Sequence, residues 1–180
     1  MSNCHERLRP SGYARNLGAE LISAGAVSIR RLFLSTFFAA ALAGAAALPY
    51  DESVDAKAAV QQALAAAKAD NVPVLVIFGA NWCEDCRALD SALKTGRNAE
   101  LMAKEFKVVK VDVGNFNRNL EIDRMYGDPI KKGIPAAVVL SPDAQVLYAT
   151  RAGELADARR MSESGIHDFF KAVVQTAKPK

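Results

Sequence analysis

What this chain lacks narrows its chemistry before any motif is read. It holds only 3 Cys, 2 His and 1 Trp in 180 residues. A structural zinc site takes four Cys or His ligands. Past Cys86 the only further soft ligand is His167, expected on the solvent side of a last helix. One chain alone therefore cannot complete such a site, and no metal is expected. Unbalanced charge is lacking too. The formal +3 resides in the first segment, where Arg7, Arg9, Arg15, Arg30 and Arg31 face only Glu6 and Glu20. Beyond Leu48, 18 basic residues balance 18 acidic ones. No basic surface remains to argue for nucleic acid. There is no internal repeat, and no apolar run reaches the ~20 residues of a spanning helix.

What is present begins with a leader. Arg30 and Arg31 precede LFLSTFFAAALAGAAAL, an apolar run rich in small residues that passes into the polar PYDESVD. A positive flank, an apolar core and small residues at the exit form the pattern of a secretory signal peptide. Residues 1–47 are read as an N-terminal extension plus signal peptide, and residues 48–180 as one domain. The alternative is an uncleaved anchor through residues 32–48. Export to the periplasm is the expected destination. The run has no Cys to carry a lipid, and Cys4 would leave with the leader. The exported part keeps Cys83 and Cys86 only.

Hydrophobic periodicity orders the rest. Residues 55–69 are Ala-rich with Val60 and Leu64 at helical spacing, and Asn71 closes that helix. VLVIFG after Pro73 is a continuous apolar run of the kind buried on both sheet faces. A helix is expected from the cysteines through ALDSALK, and another from Asn98. The strand KVVKVDV follows at 107–113, then a polar stretch, 114–133, with a short helix near LEIDRMY. IPAAVVL and QVLYATR flank a hairpin turn at Ser141-Pro142-Asp143-Ala144. After Gly153 helix is expected to near the end, with Ile166, Phe169, Phe170, Val173 and Val174 on its apolar face. Met125 and Tyr126 are expected in the core. The order predicts an α/β fold with a central mixed sheet.

The chemistry concentrates in GANWCEDCRALD, residues 79–90. Cys83 falls where a buried strand gives way to a helix N-terminus, whose free N–H groups and dipole favour an anion. Only the thiolate is nucleophilic. Cys86 lies nearly one turn on, on the same side, and can close a disulfide with it. A purely structural disulfide would enclose too few residues to stabilise much. Thiol exchange and Cu(I) carriage, for which two thiolates are suited, remain as rival uses of the pair.

FGANWCEDCRAL resembles the active-site stretch of the thioredoxin family, with Trp82 ahead of the first cysteine. Lys132-Gly133-Ile134-Pro135, opening a strand, is similar to that family's cis-proline loop, and Gly153 stands where it has a glycine after its hairpin. The resemblance spans roughly 55–177. It implies a thioredoxin-like fold and thiol–disulfide exchange without a cofactor beyond the redox-active Cys83–Cys86 pair. Cys83 would attack and Cys86 resolve. Pro135 would be cis, Ile134 would pair with the incoming chain, and Trp82 would shape the rim. Disulfide-containing clients and a membrane thiol–disulfide electron donor are the implied partners. Lys110 aligns with a strand lysine near the family's buried thiol. One departure stands out: the family's strand aspartate, which relays a proton to that thiol, is Ile77 here. Lys110, Asp85, Glu84 or water would have to replace it.

Glu84 and Asp85 complement the helix dipole, and Glu84 is placed to pair with Arg87. Their charge also disfavours a thiolate at Cys83. A dithiol that gains little from ionising is a better electron donor, so a reductant is expected rather than a strong oxidant. The stretch 114–128, with Asn115, Asn117, Arg118 and Asn119, is either a partner-recognition surface or a solvated loop.

Overall fold

The computed structural model describes residues 48–177. The leader, Cys4 and the boundary after residue 47 lie outside the described residues.

Helix α1, Ala56–Asp70, starts where the Asp55 carboxylate accepts the Ala58 N–H at 3.0 Å. It stops at Asn71 in the left-handed region, φ 53°, one of few non-glycine residues that tolerate it. Strand β1, Val74–Gly79, is buried at every position. It pairs parallel with β2, Lys107–Asp112, and antiparallel with β3, Ala136–Leu140. β4, Val146–Ala149, adds antiparallel to β3, giving the order β2-β1-β3-β4. The hairpin supplies the antiparallel part of a mixed sheet, and the fold is thioredoxin-like.

Alternate residues of β1 feed two cores. Val74, Val76 and Phe78 pack beside α1 residues Ala56, Val60 and Ala67. Leu75 and Ile77 pack with Leu89 and Leu93 of α2, Glu84–Leu93, and with Ile166, Phe170 and Val173 of the last helix. Burial on both faces explains the uninterrupted apolar run.

Four expectations need correction. Helix α3, Gly96–Glu105, begins before Asn98. Asn98 is fully buried within it and donates to the Glu163 carbonyl at 3.4 Å. His167 does not face solvent alone, because its Nδ1 lies 3.2 Å from Asn98 Oδ1. Met125 ends α4, Leu120–Met125, and is 62% exposed, since a helix of under two turns presents only Ile122 and Asp123 inward. Tyr126 is buried as expected.

The fourth correction is the segment after Gly153. It is a bent strap with a 3₁₀ turn at Ala158–Arg160, and the last helix, α5, runs Glu163–Ala177. The segment closes short turns instead of a helix, with the Ala156 N–H donating to the Gly153 carbonyl at 2.9 Å and the Ala158 N–H to the Leu155 carbonyl at 3.0 Å, and side chains bind its flanks. The Glu154 carboxylate accepts from Ala152 at 3.0 Å and from Arg151 at 3.1 Å. The Arg159 N–H goes to Asp85. Leu155 and Ala158 anchor the strap in the second core. Among the described residues no helix is long and apolar enough to cross a membrane.

Candidate active site

The turn after β1 delivers Asn81, Trp82 and Cys83 to the mouth of α2. Cys83 is the N-cap residue, in extended conformation, and its sulfur accepts the Cys86 N–H at 3.1 Å. Sulfur thus occupies the place where a helix start stabilises negative charge. Cys83 and Cys86 form a disulfide with Cα atoms 5.2 Å apart. Cys83 is 6% exposed and Cys86 1%, so Cys83 is the outer sulfur.

Across the groove, the Ile134 carbonyl oxygen lies 3.7 Å from the Cys83 sulfur. The Ile134–Pro135 peptide bond is cis. Gly133 precedes it with φ 117°, a conformation open to glycine. Trp82 is 53% exposed at the rim. Its indole N–H donates to the Gly114 carbonyl at 2.9 Å, and its ring meets Phe116 edge-on with centroids 6.0 Å apart. The structure therefore gathers Trp82, Cys83 and Ile134 around one open groove, shared with Phe116 and Arg159.

Glu84 does not pair with Arg87, whose guanidinium donates instead to the Asn81 carbonyl at 2.7 Å. Arg159, from the strap, holds both acids. Its Nη1 lies 2.8 Å from Glu84 Oε2, and its backbone N–H donates to Asp85 Oδ1 at 3.0 Å. Lys110 lies behind the cysteine pair, beside Tyr50. It is ion-paired with Asp90 of α2 and stands 6.0 Å from the Tyr50 ring centre. Burial pushes its ammonium below the ordinary lysine range. Ile77, at the position of the family aspartate, is 2% exposed in the second core and can take no proton.

Sequence reasoning missed Arg159, Phe116, Tyr50 and Asp112. Phe116 alone gave a signal, as a lone aromatic between Asn115 and Asn117.

Residues 55–142 match the sequence model of a family described as thioredoxin-like. A solved disulphide isomerase from Xylella fastidiosa Temecula1 is 57% identical, with 72% of this chain and 98% of that chain covered and a TM-score of 0.70. A thioredoxin from Thermus thermophilus is 24% identical over 64% of this chain and 81% of its own, with a TM-score of 0.47. The oxidised C-terminal domain of DsbD from Neisseria meningitidis is 19% identical over 64% and 94%, with a TM-score of 0.44. No curated protein matches the sequence.

Proposed function

The chain belongs to the thioredoxin-like family and is a thiol–disulfide oxidoreductase, and from that premise we propose that it reduces or reshuffles disulfides of exported protein clients. One observation carries the reading: the sulfur of Cys83 sits at a helix N-terminus, 3.7 Å from the carbonyl that precedes cis-Pro135. A peptide laid along that loop would present its own sulfur to Cys83.

In the first step the Cys83 thiolate attacks one sulfur of a client disulfide. A Cys83–client bond forms, and the other client sulfur leaves as a thiolate. In the second, Cys86 attacks Cys83, and the second client sulfur leaves. Two electrons pass to the client, and the Cys83–Cys86 disulfide remains. Ile134 and Pro135 dock the client backbone, and Trp82 covers the rim. Isomerisation, the activity in the name of the Xylella relative, uses the same first step and releases the client by a client thiol instead.

Export would place the chain in the periplasm, where a membrane thiol–disulfide donor would re-reduce the pair. A dithiol-driven insulin reduction assay, run beside a Cu(I) titration, tests the reading. Reduction by the parent with weak Cu(I) binding supports it. Tight Cu(I) binding without reduction would establish metal delivery instead.

The acids set the poise. Glu84 and Asp85 carry two negative charges against one on Arg159, so the balance beside Cys83 still disfavours its thiolate. A potential nearer about −270 mV than about −120 mV is expected. Arg159→Ala leaves both acids uncompensated and should lower the potential further. The pair is exposed and worth at most ~1 kcal/mol, which limits the shift to ~20 mV. Equilibration with glutathione at low and high salt would read it. The shift should shrink in high salt, and a shift toward oxidising values would refute the assignment.

A further inference from the structure

Resolution asks Cys86 to give up a proton at a place that is 1% exposed. Burial disfavours a thiolate there, so a nearby acceptor matters. Ile77 cannot serve. Glu84 and Asp85 are tied to Arg159 at the surface. Lys110 is tied to Asp90, which also holds Lys94 at 2.8 Å.

Three groups converge instead on Gly79, the last residue of β1. A Cβ on Gly79 would collide with the Tyr50 hydroxyl and lie 2.9 Å from the Cys86 sulfur. The missing side chain leaves the Tyr50 hydroxyl and the Cys86 sulfur bordering the same space. Asp112 is the β2 partner of Gly79 in register. Its side chain is 4% exposed, and neither carboxylate oxygen has an aligned hydrogen-bond donor, although Arg118 Nη1 approaches Oδ2 at 3.0 Å. Buried carboxylates rarely keep lone pairs unused.

Tyr50 is held by backbone bonds rather than by its hydroxyl. Its N–H donates to Asn81 Oδ1 at 3.0 Å, and Asn81 Nδ2 donates back to its carbonyl at 2.8 Å. The clamp fixes Tyr50 to the turn that carries Cys83. Burial, and then the Asp112 charge, push its phenol well above the ordinary range. It therefore stays neutral and can pass a proton without ionising.

We propose that Asp112 accepts the Cys86 proton through the Tyr50 hydroxyl as Cys86 closes on Cys83, which makes Asp112 a positioning and proton-accepting residue for resolution. The inference rests on the exchange reading above. As the Tyr50 hydroxyl turns onto an Asp112 oxygen, which has no aligned donor in the disulfide form, Cys86 gives its proton to the Tyr50 oxygen and Tyr50 gives its own to the carboxylate. The Cys86 thiolate then bonds to the Cys83 sulfur, and the Cys83–client bond breaks. The departing client thiolate recovers a proton from Asp112 or solvent. The charged groups facing the site are Arg118 with its second partner Glu52, and Lys110 with Asp90.

The test uses the full chain carrying Cys4→Ser, reduced and mixed with Ellman's disulfide in stopped flow. Attack by Cys83 releases a first coloured thiolate, and resolution by Cys86 releases a second. Asp112→Asn should slow the second phase about a hundredfold near neutral pH. The deficit should narrow as pH rises past the ordinary thiol value of about 8.5, because hydroxide then takes the proton without help. Tyr50→Phe should show the same pH signature with a smaller loss, and the first phase should stay within about twofold in both. Second phases that match the parent, a slowing equal at every pH, or an equal loss in Asp90→Asn would overturn the proposal. A parent with no first phase would overturn the exchange reading itself.

Discussion

Cys83→Ser should remove disulfide exchange entirely, whereas Cys86→Ser should remove only its completion. A serine hydroxyl at the α2 N-cap would still accept the Cys86 N–H that now goes to sulfur at 3.1 Å, so the helix start survives. What disappears is a nucleophile that ionises within reach of neutral pH. A loss of about 10³-fold or more is expected in insulin reduction. Cys86→Ser keeps the outer sulfur beside the Ile134 carbonyl, so Cys83 should attack clients normally and hold them as mixed disulfides. Non-reducing electrophoresis, followed by reduction and mass analysis, reads both outcomes. Equal trapping by the two variants would mean that either thiol can attack, and trapping by Cys83→Ser alone would mean that Cys86 is the attacking thiol.

The elements that build this site were legible wherever burial leaves a periodic trace. VLVIFG reads as a strand because both its faces are covered. The cysteine pair reads as a helix start because a polar first turn follows an apolar run. The Ile134–Pro135 segment reads through its resemblance to a known loop. What escaped were contacts between residues distant in sequence. Arg159 reaches Glu84 across 75 positions, and nothing around ELADARR marks that pairing. A second long-range contact goes with the break in the expected helix, the Arg159 N–H being donated to Asp85. Nothing in KVVKVDV marks Asp112 as buried, yet it is 5% exposed beside Gly79 of the neighbouring strand. Tyr50 itself stands just beyond the expected leader, where sequence offers only a junction.

Gly153→Ala should cost both stability and activity, and a second glycine separates the two losses. Gly153 has φ 78°, a region that burdens any residue with a Cβ. Its Cβ would also lie 2.9 Å from the Lys132 carbonyl oxygen, which is backbone and cannot swing aside. Lys132 leads directly into Gly133, Ile134 and Pro135. Relief of the clash must therefore move the loop that faces Cys83, or the strap that carries Arg159. Strain and clash together should destabilise the fold by about 2–3 kcal/mol. A displacement of even ~1 Å at the Ile134 carbonyl should lower exchange about tenfold to a hundredfold. Gly127 offers the comparison. Its φ is 85°, but a Cβ there would meet only the flexible guanidinium of Arg151, at 3.6 Å. Gly127→Ala should carry only the left-handed backbone cost of about 1–2 kcal/mol and leave exchange within about twofold. Thermal melts and insulin reduction on both variants test the pair. If Gly153→Ala loses stability but keeps full exchange, contact between strap and loop does not set the position of Ile134 over Cys83.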